Sequence, residues 1–318
     1  MAHGKKTSLK ATLQSQQTRL KNKQKAIHAA EVAEQKGKRK GQIKGKGKAP
    51  PPRVTIPFKP TDKILLIGEG NFSFTRALLV DPPLSLEHLP PANVTATAYD
   101  SEDECYAKYP DAHAIVEALR EKGVEILFGI DATKLDKVQS FRGRRWDRIV
   151  WNFPHAGKGI ADQDRNILSN QLLILNFLRS AANFLTLGPV PAFSLSRKHK
   201  KSEDDDDLKV PTDDSGSGED SSPASEAAGG GRGTVHITLR NVAPYTTWDV
   251  PRLAKNPPKP TKTGVPPNPR YTLLRSFMFH RKAWKGYEHR MTKGERAHGQ
   301  GKTGEGGEDR TWEFCLQD

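Results

Sequence analysis

At 318 residues the chain is long enough to build a sizeable core, but a formal net charge of +14 and only 35% hydrophobic residues argue against packing throughout. Its two cysteines, Cys105 and Cys315, stand apart and form no CxxC pair, which argues against a zinc site or a disulfide framework and fits a reducing compartment. No apolar run reaches membrane-spanning length, and the lysine-rich N-terminus lacks the apolar core of a secretory signal.

The charge is unevenly spread. Residues 1–48 carry 14 lysines and arginines against two acids, whereas residues 203–220 carry nine acids and one lysine. Tail and body are both basic once the acidic run is set aside, so a polyanion is the natural partner. Residues 1–57, with Lys36-Gly-Lys-Arg-Lys-Gly, Lys44-Gly-Lys-Gly-Lys and Pro50-Pro51-Pro52, read as a disordered basic tail. Such a tail serves either as a solvated linker or as a nuclear or nucleolar address that also holds RNA.

From Lys63 onward, strands and helices alternate, the pattern of a mostly parallel sheet with crossover helices. Strands are predicted at residues 63–68, Val94–Asp100, Val124–Asp131 and Arg148–Phe153, and helices at Phe72–Val80, Asp111–Lys122 and Asp164–Leu187. Residues 190–232 run through basic, acidic and Ser/Gly-rich sequence and read as a disordered insertion. A fifth strand follows at Thr234–Arg240, then a long proline-rich connection over 251–269. Two more strands, Tyr271–Phe279 and Thr311–Leu316, flank a flexible Gly/Lys-rich loop at 292–309. The expectation is an α/β domain over 58–318, a seven-stranded, mostly parallel sheet with helices on both faces.

Three strand ends carry candidate chemistry. Gly68-Glu69-Gly70-Asn71-Phe72 joins the first strand to its helix, where glycines permit close ligand approach and a helix N-terminus offers amides. The loop fails the dinucleotide fingerprint because Ser73 stands where the third glycine belongs, and Gly301-Lys302-Thr303 is no P-loop because Arg296 replaces its first glycine. Asp100 ends the second strand, where a carboxylate can accept ribose hydroxyls; Asp100 or Ser101 could instead cap a helix, with Ser101 and Glu104 forming a capping box. Asp131 follows the third strand and could accept from an adenine amine, or merely cap the segment holding Leu135. Together they outline the nucleoside crevice of an open α/β sheet. Asn152-Phe153-Pro154-His155 ends the fourth strand and is similar to the Asn-Pro-Pro-aromatic segment with which many base-modifying methyltransferases hold a target nitrogen in line for transfer. A plain proline turn, with His155 idle in solvent, is the bland alternative.

These residues resemble a known family. Ile64-Leu-Leu-Ile-Gly-Glu-Gly-Asn-Phe-Ser-Phe, Ala98-Tyr-Asp-Ser and Ile149-Val-Trp-Asn-Phe-Pro-His-Ala-Gly are similar to segments of the eukaryotic large-subunit (25S) rRNA uridine-N3 methyltransferases. So are Asp164-Arg-Asn, Pro244-Tyr-Thr-Thr-Trp and Gly286-Tyr-Glu-His-Arg. The resemblance implies a Rossmann-like class I methyltransferase fold, S-adenosylmethionine as cofactor, nucleolar residence, and methylation of N3 of an rRNA uridine during ribosome biogenesis. On that basis Gly68, Glu69, Gly70, Asn71, Phe72, Asp100 and Asp131 are expected to hold the cofactor. Asn152, Phe153, Pro154 and His155 are expected to hold the flipped uracil, with His155 able to take the N3 proton. The basic body (Arg275, Arg281, Lys282, Lys285 and Arg290) would hold large-subunit rRNA or a pre-ribosomal particle, with Trp284 or Tyr287 stacking on bases. No metal and no membrane are implied, and the chain is read as monomeric. Two rivals are a nicotinamide-dependent oxidoreductase, disfavoured by the missing third glycine, and a non-enzymatic ribosome-assembly factor that keeps the fold as an RNA-binding scaffold.

Overall fold

Four short strands share a parallel core because their apolar runs can be buried on both faces. They are β1 (Ile64–Ile67), β2 (Val94–Thr97), β3 (Glu125–Leu127) and β4 (Arg148–Asn152). In the computed structural model, which describes residues 54–191, 231–259, 267–291 and 307–318, they join β5 (Thr234–Arg240), β6 (Tyr271–Met278) and β7 (Asp309–Leu316). The seven strands run in the order β3-β2-β1-β4-β5-β7-β6. All pairings from β3 to β5 are parallel, and β7 runs antiparallel to both β5 and β6. The tail, the acidic run and most of the 292–309 loop lie outside the described residues, while residues 53–318 group as one compact unit.

The period-2 alternation of a strand divides the core in two. Leu65 and Ile67 of β1, with Ile149 and Trp151 of β4, point to one face and pack beneath α4 (Gln163–Ala181) and α5 (Val250–Lys255). Ile64, Leu66 and Val150 point to the other and pack beneath α1 (Ser73–Leu79) and α3 (Ala112–Glu121). Pro57 and Phe58 are buried too: the Phe58 ring stacks on His236, with centroids 5.6 Å apart.

The elements differ from the sequence reading in several places, among them the second strand, which stops at Thr97 rather than Asp100. The third strand stops at Leu127, not Asp131, because the chain then turns across β2 and Ile130 N–H donates to the Ala98 carbonyl at 2.9 Å. The long helix ends at Ala181 because a 3-10 turn follows and brings Leu185 alongside Trp146. The proline-rich connection contains α5, with Pro251 in the first turn, where a missing N–H costs nothing. Ser101 and Glu104 do form the expected capping box, opening α2 (Glu102–Lys108).

Two arginines tie down ends that the chain leaves apart. Arg232 N–H donates to the Pro189 carbonyl at 2.8 Å and its guanidinium to the Gly188 carbonyl at 2.9 Å and the Leu316 carbonyl at 2.8 Å, so residues 189 and 232 lie side by side. On the sheet, Arg275 pairs with Glu313 at 2.6 Å, and Glu313 in turn meets His236, its register partner on β5, at 3.3 Å. Glu313 and His236 are each only 1% exposed.

Candidate functional site

Strand order reverses between β1 and β4, and the loops leaving their carboxyl ends splay apart there, as in other open α/β sheets. The resulting cleft encloses about 770 Å³ open to solvent. Its walls are Gly68 to Phe74 after β1, Tyr99 and Asp100 after β2, Asn152 and Phe153 at the end of β4, and the segment Tyr287–Arg290.

The glycine loop is held rigidly. Gly68 has φ +63°, and a Cβ there would meet Trp151 Nε1 at 2.9 Å. Gly70 presents its backbone between Tyr109 and Arg290, whose nearest atoms would lie 3.3 and 3.2 Å from an added Cβ. Asn71 is buried and donates to Asp111 Oδ2 at 2.8 Å, an oxygen that also receives Arg290 at 2.9 Å. Phe72, at φ 60°, contributes backbone to the cleft and its ring to the core.

Two of the amides expected to await a ligand at the start of α1 are already engaged. Asn71 Oδ1 accepts Ser73 N–H, and Glu69 Oε2 accepts both the N–H and the hydroxyl of Thr75, at 3.3 and 2.5 Å. Glu69 therefore places a carboxyl in the loop where a phosphate would otherwise sit. Burial pushes its pKa up to about 7 against the pull of the Thr75 hydrogen bonds.

Asp100 borders the cleft and receives Lys108 Nζ at 2.6 Å on one oxygen. Asp131 is not among the cleft residues. Both its oxygens are used locally: Oδ1 accepts the N–H and hydroxyl of Thr133, capping the 3-10 turn Ala132–Lys137, and Oδ2 receives Lys134 at 2.6 Å. Burial alone would raise its pKa, but those hydrogen bonds outweigh it and hold the carboxyl below its ordinary value.

Of the β4 segment, Asn152 and Phe153 face the cleft, and Asn152 Oδ1 is buried with no hydrogen-bond partner among the described residues. A buried acceptor left open costs about 1–3 kcal/mol, which marks it as a place for a ligand donor. Phe153 adopts φ 54°, an uncommon conformation for a bulky residue, fixed by its N–H donating to the Thr238 carbonyl at 2.8 Å. Arg281 lies over its ring at 5.0 Å and His289 packs against it at 4.3 Å. Burial, with Arg281 and Arg240 nearby, pushes His289 down to about 4 and keeps its imidazole neutral. Pro154 is buried, and His155 turns away into a separate groove. There its Nδ1 accepts Gly157 N–H at 2.9 Å.

Sequence reasoning missed the far wall. Tyr287 to Arg290 belong to a strap fastened across the glycine loop. The Ser73 hydroxyl donates to the Glu288 carbonyl at 3.0 Å and accepts its N–H at 3.1 Å, and Tyr109 donates to the Met291 carbonyl at 2.8 Å. The hydroxyl that breaks the dinucleotide fingerprint is thus the strap's anchor. The sequence singles out Gly286-Tyr-Glu-His-Arg by resemblance, and Tyr287 and Arg290 for stacking and charge, but no spacing rule places the segment opposite Gly70. Trp284 and Tyr287, expected to stack on RNA, instead pack with Phe74 and Phe279 in an aromatic cluster, because Trp284 is only 4% exposed. Arg275, Arg281 and Arg290 form ion pairs with Glu313, Asp309 and Asp111, while Lys282 and Lys285 are exposed.

No helix among the described residues is long and apolar enough to cross a membrane, and no metal-binding cluster occurs among them. Residues 65–291 match the family described as BMT5-like, rRNA (uridine-N3-)-methyltransferase BTM5-like. The chain is 30% identical over 262 residues to the Saccharomyces cerevisiae 25S rRNA (uridine(2634)-N(3))-methyltransferase, covering 76% of this chain and 69% of that protein. It is also 30% identical over 201 residues to an uncharacterized Arabidopsis thaliana protein, covering 62% of this chain and 72% of that one. A shorter match, 36% over 125 residues, relates 39% of the chain to 18% of a Mus musculus ferredoxin-fold anticodon-binding domain-containing protein 1 homolog. On the sheet order, the cleft at its switch point and these matches, the chain belongs to the BMT5-like rRNA (uridine-N3-)-methyltransferase family.

Proposed function

We propose that the protein transfers a methyl group from S-adenosylmethionine to N3 of a uridine in large-subunit rRNA, working in the nucleolus as a monomer on rRNA or a pre-ribosomal particle. The observation that carries the reading is the open, buried acceptor of Asn152 beside the strained Phe153, across the cleft from the glycine loop.

The cleft fits the cofactor. Gly68 and Gly70 leave the backbone bare, Asp100 offers an acceptor to a ribose, and exposed Tyr99 beside it offers a ring to an adenine. Glu69 suits a cationic ligand and opposes a pyrophosphate, which also weighs against the nicotinamide rival. When bound, the cofactor supplies a methyl activated by a sulfonium.

On the substrate side, uracil N3 carries a proton and lies in the pairing edge, so the base has to leave its helix to be reached. Asn152 Oδ1 would accept the N3–H and fix the ring, while Phe153 stacks on its face. The neutral His289 imidazole adds a second polar group in the same cleft. His155, expected to take the N3 proton, lies at a different groove with its Nδ1 already occupied; in this reading the Asn152 amide only orients N3–H, and the proton that leaves N3 as the methyl arrives passes to the neutral His289 imidazole. Arg281 and Arg290 are engaged in ion pairs, so rRNA would be drawn in by exposed lysines such as Lys282 and Lys285 and by the basic tail.

Two measurements test the proposal. Calorimetry with S-adenosylhomocysteine should give binding by the wild type and none by Gly70→Val, whose branched side chain has no room between Tyr109 and Arg290. Nucleoside mass spectrometry of large-subunit rRNA after deletion of the gene should show loss of 3-methyluridine, restored by the wild type and not by Asn152→Ala. Cofactor binding with intact methylation in the deletion would favour the non-enzymatic assembly factor.

A further inference from the structure

Beyond His155 the β4 segment opens onto a second concavity of about 520 Å³, lined by His155, Ile160, Gln163, Asn166, Tyr245 and Trp248 among others. Trp248 is 1% exposed, yet its indole N–H has no acceptor among the described residues. Tyr245 packs edge-on against it with centroids 5.1 Å apart, and the exposed His155 ring lies 5.9 Å away. Because His155 Nδ1 accepts Gly157 N–H, the neutral ring carries its proton on Nε2 and is a second N–H donor. No carboxylate lines the groove. Of the acids beside its lining residues in the chain, Asp162 caps α4 by accepting Arg165 N–H, Asp249 faces Arg252 at 3.9 Å, and Asp164 sits in the first turn of α4 without lining the groove.

Aromatic faces, two ring N–H donors and no negative wall match a ligand with a flat ring and anionic or carbonyl acceptors. The groove's position narrows the choice. His155 follows Asn152 by three residues, no more than about 10 Å of chain. The link is stiff: Pro154 is buried, and Ala156 N–H donates to the buried Asn170 at 2.8 Å.

We propose that this groove seats the nucleotide adjacent to the target uridine in the same RNA strand, its base against His155 and Tyr245 and its phosphate or base carbonyl accepting from the ring N–H groups of Trp248 and His155. The inference rests on the reading of the cleft as a site for a flipped uridine. The groove then acts as the second clamp that holds the strand while one base is extruded, and it gives the enzyme a preference for the sequence or conformation beside its target.

The test uses the full chain and a short single-stranded RNA with one uridine flanked by 2-aminopurine, whose fluorescence falls when it stacks on an aromatic ring. Wild type with S-adenosylhomocysteine bound should quench the probe. Tyr245→Ala and His155→Ala should each bind it about tenfold more weakly, the scale of one base stacked on one side chain. Trp248→Phe should weaken binding while retaining quenching, since it removes the N–H but keeps an aromatic ring beside Tyr245. All three should keep the wild-type affinity for S-adenosylhomocysteine, which reports that the cleft is intact. Variants that bind and quench the probe as the wild type does, with the cofactor site intact, would overturn the groove assignment alone, and would leave a protein segment as its occupant. A wild type that fails to bind S-adenosylhomocysteine would overturn the function reading and this inference with it.

Discussion

The imidazole of His289 lies 4.3 Å from the ring of Phe153, across the cleft edge from the open amide of Asn152. Residues far apart in the chain thus meet where the substrate base is proposed to enter, and the arrangement sets a pH dependence. A folded-state pKa of about 4, below the free value near 6.5, means that His289 contributes stability fully above pH 6.5 and loses it as pH falls toward 4. His289→Phe keeps a ring against Phe153 and removes that dependence. Denaturant melts at pH 7 and pH 5 should therefore converge for the variant relative to wild type. Its turnover should fall about tenfold, the worth of one transition-state hydrogen bond, with cofactor affinity unchanged. Full turnover would make the imidazole a packing residue.

Glu69 predicts proton-linked cofactor binding. A carboxyl with a pKa of about 7 is partly protonated at neutral pH, and a cationic ligand favours its ionised form. Affinity for S-adenosylmethionine should rise with pH through 7 and level off above it, with a proton released on binding. Titrations in buffers of different ionisation enthalpy read this directly. Glu69→Gln should bind more weakly and show no buffer dependence; a buffer-independent wild-type enthalpy would remove Glu69 from the ligand's surroundings.

The buried pair on the antiparallel edge governs stability, not chemistry. Burial alone would raise the pKa of Glu313, but His236 and Arg275 outweigh it and hold the carboxyl well below its ordinary range. Its contribution is present above the unfolded carboxylate pKa and is lost as pH falls below it. Glu313→Ala should cost about 1–3 kcal/mol, the consequence of leaving the buried, neutral His236 ring and the partly exposed Arg275 without their acceptor. Urea denaturation at pH 7 measures it, and a change within 1 kcal/mol would show that the pair contributes little.

Residues 192–230 should be removable. The flanking residues Pro189 and Arg232 are joined by a 2.8 Å hydrogen bond, so a short Gly/Ser linker has almost no distance to span. Melting temperature and S-adenosylhomocysteine affinity should both stay close to wild type. A lost melting transition would show that the segment contributes to the core.

Much of the scaffold was legible because it is local. Apolar runs such as Ile64–Ile67 and Thr234–Arg240 announce strands, and Ser101 with Glu104 announces a helix start. The near wall of the cleft was legible for the same reason, since Gly68 to Phe72 and Asn152-Phe153 sit at strand ends. The far wall was not. Glu288 and Arg290 reach the glycine loop and the start of its helix across more than 200 residues through a backbone strap, a contact that leaves no periodicity in the sequence. Trp284 looked like a surface ring because its neighbours are lysines and arginine, and only the tertiary packing of Phe74 and Phe279 makes it core. Asp131 reads equally well as ligand or cap, and Thr133 and Lys134 engage both its oxygens.

The fastening of Ser73 to Glu288 has a consequence for synthesis. The first strand and its glycine loop leave the ribosome well before the wall that completes the cleft, which is encoded more than 200 residues later. A nascent chain that has made only β1 through β5 has half a cleft, with Gly70 lacking Arg290 and Phe153 lacking His289. Competence is thereby deferred until residues 287–290 have been translated, so a chain that stops short of them has no finished site for the cofactor.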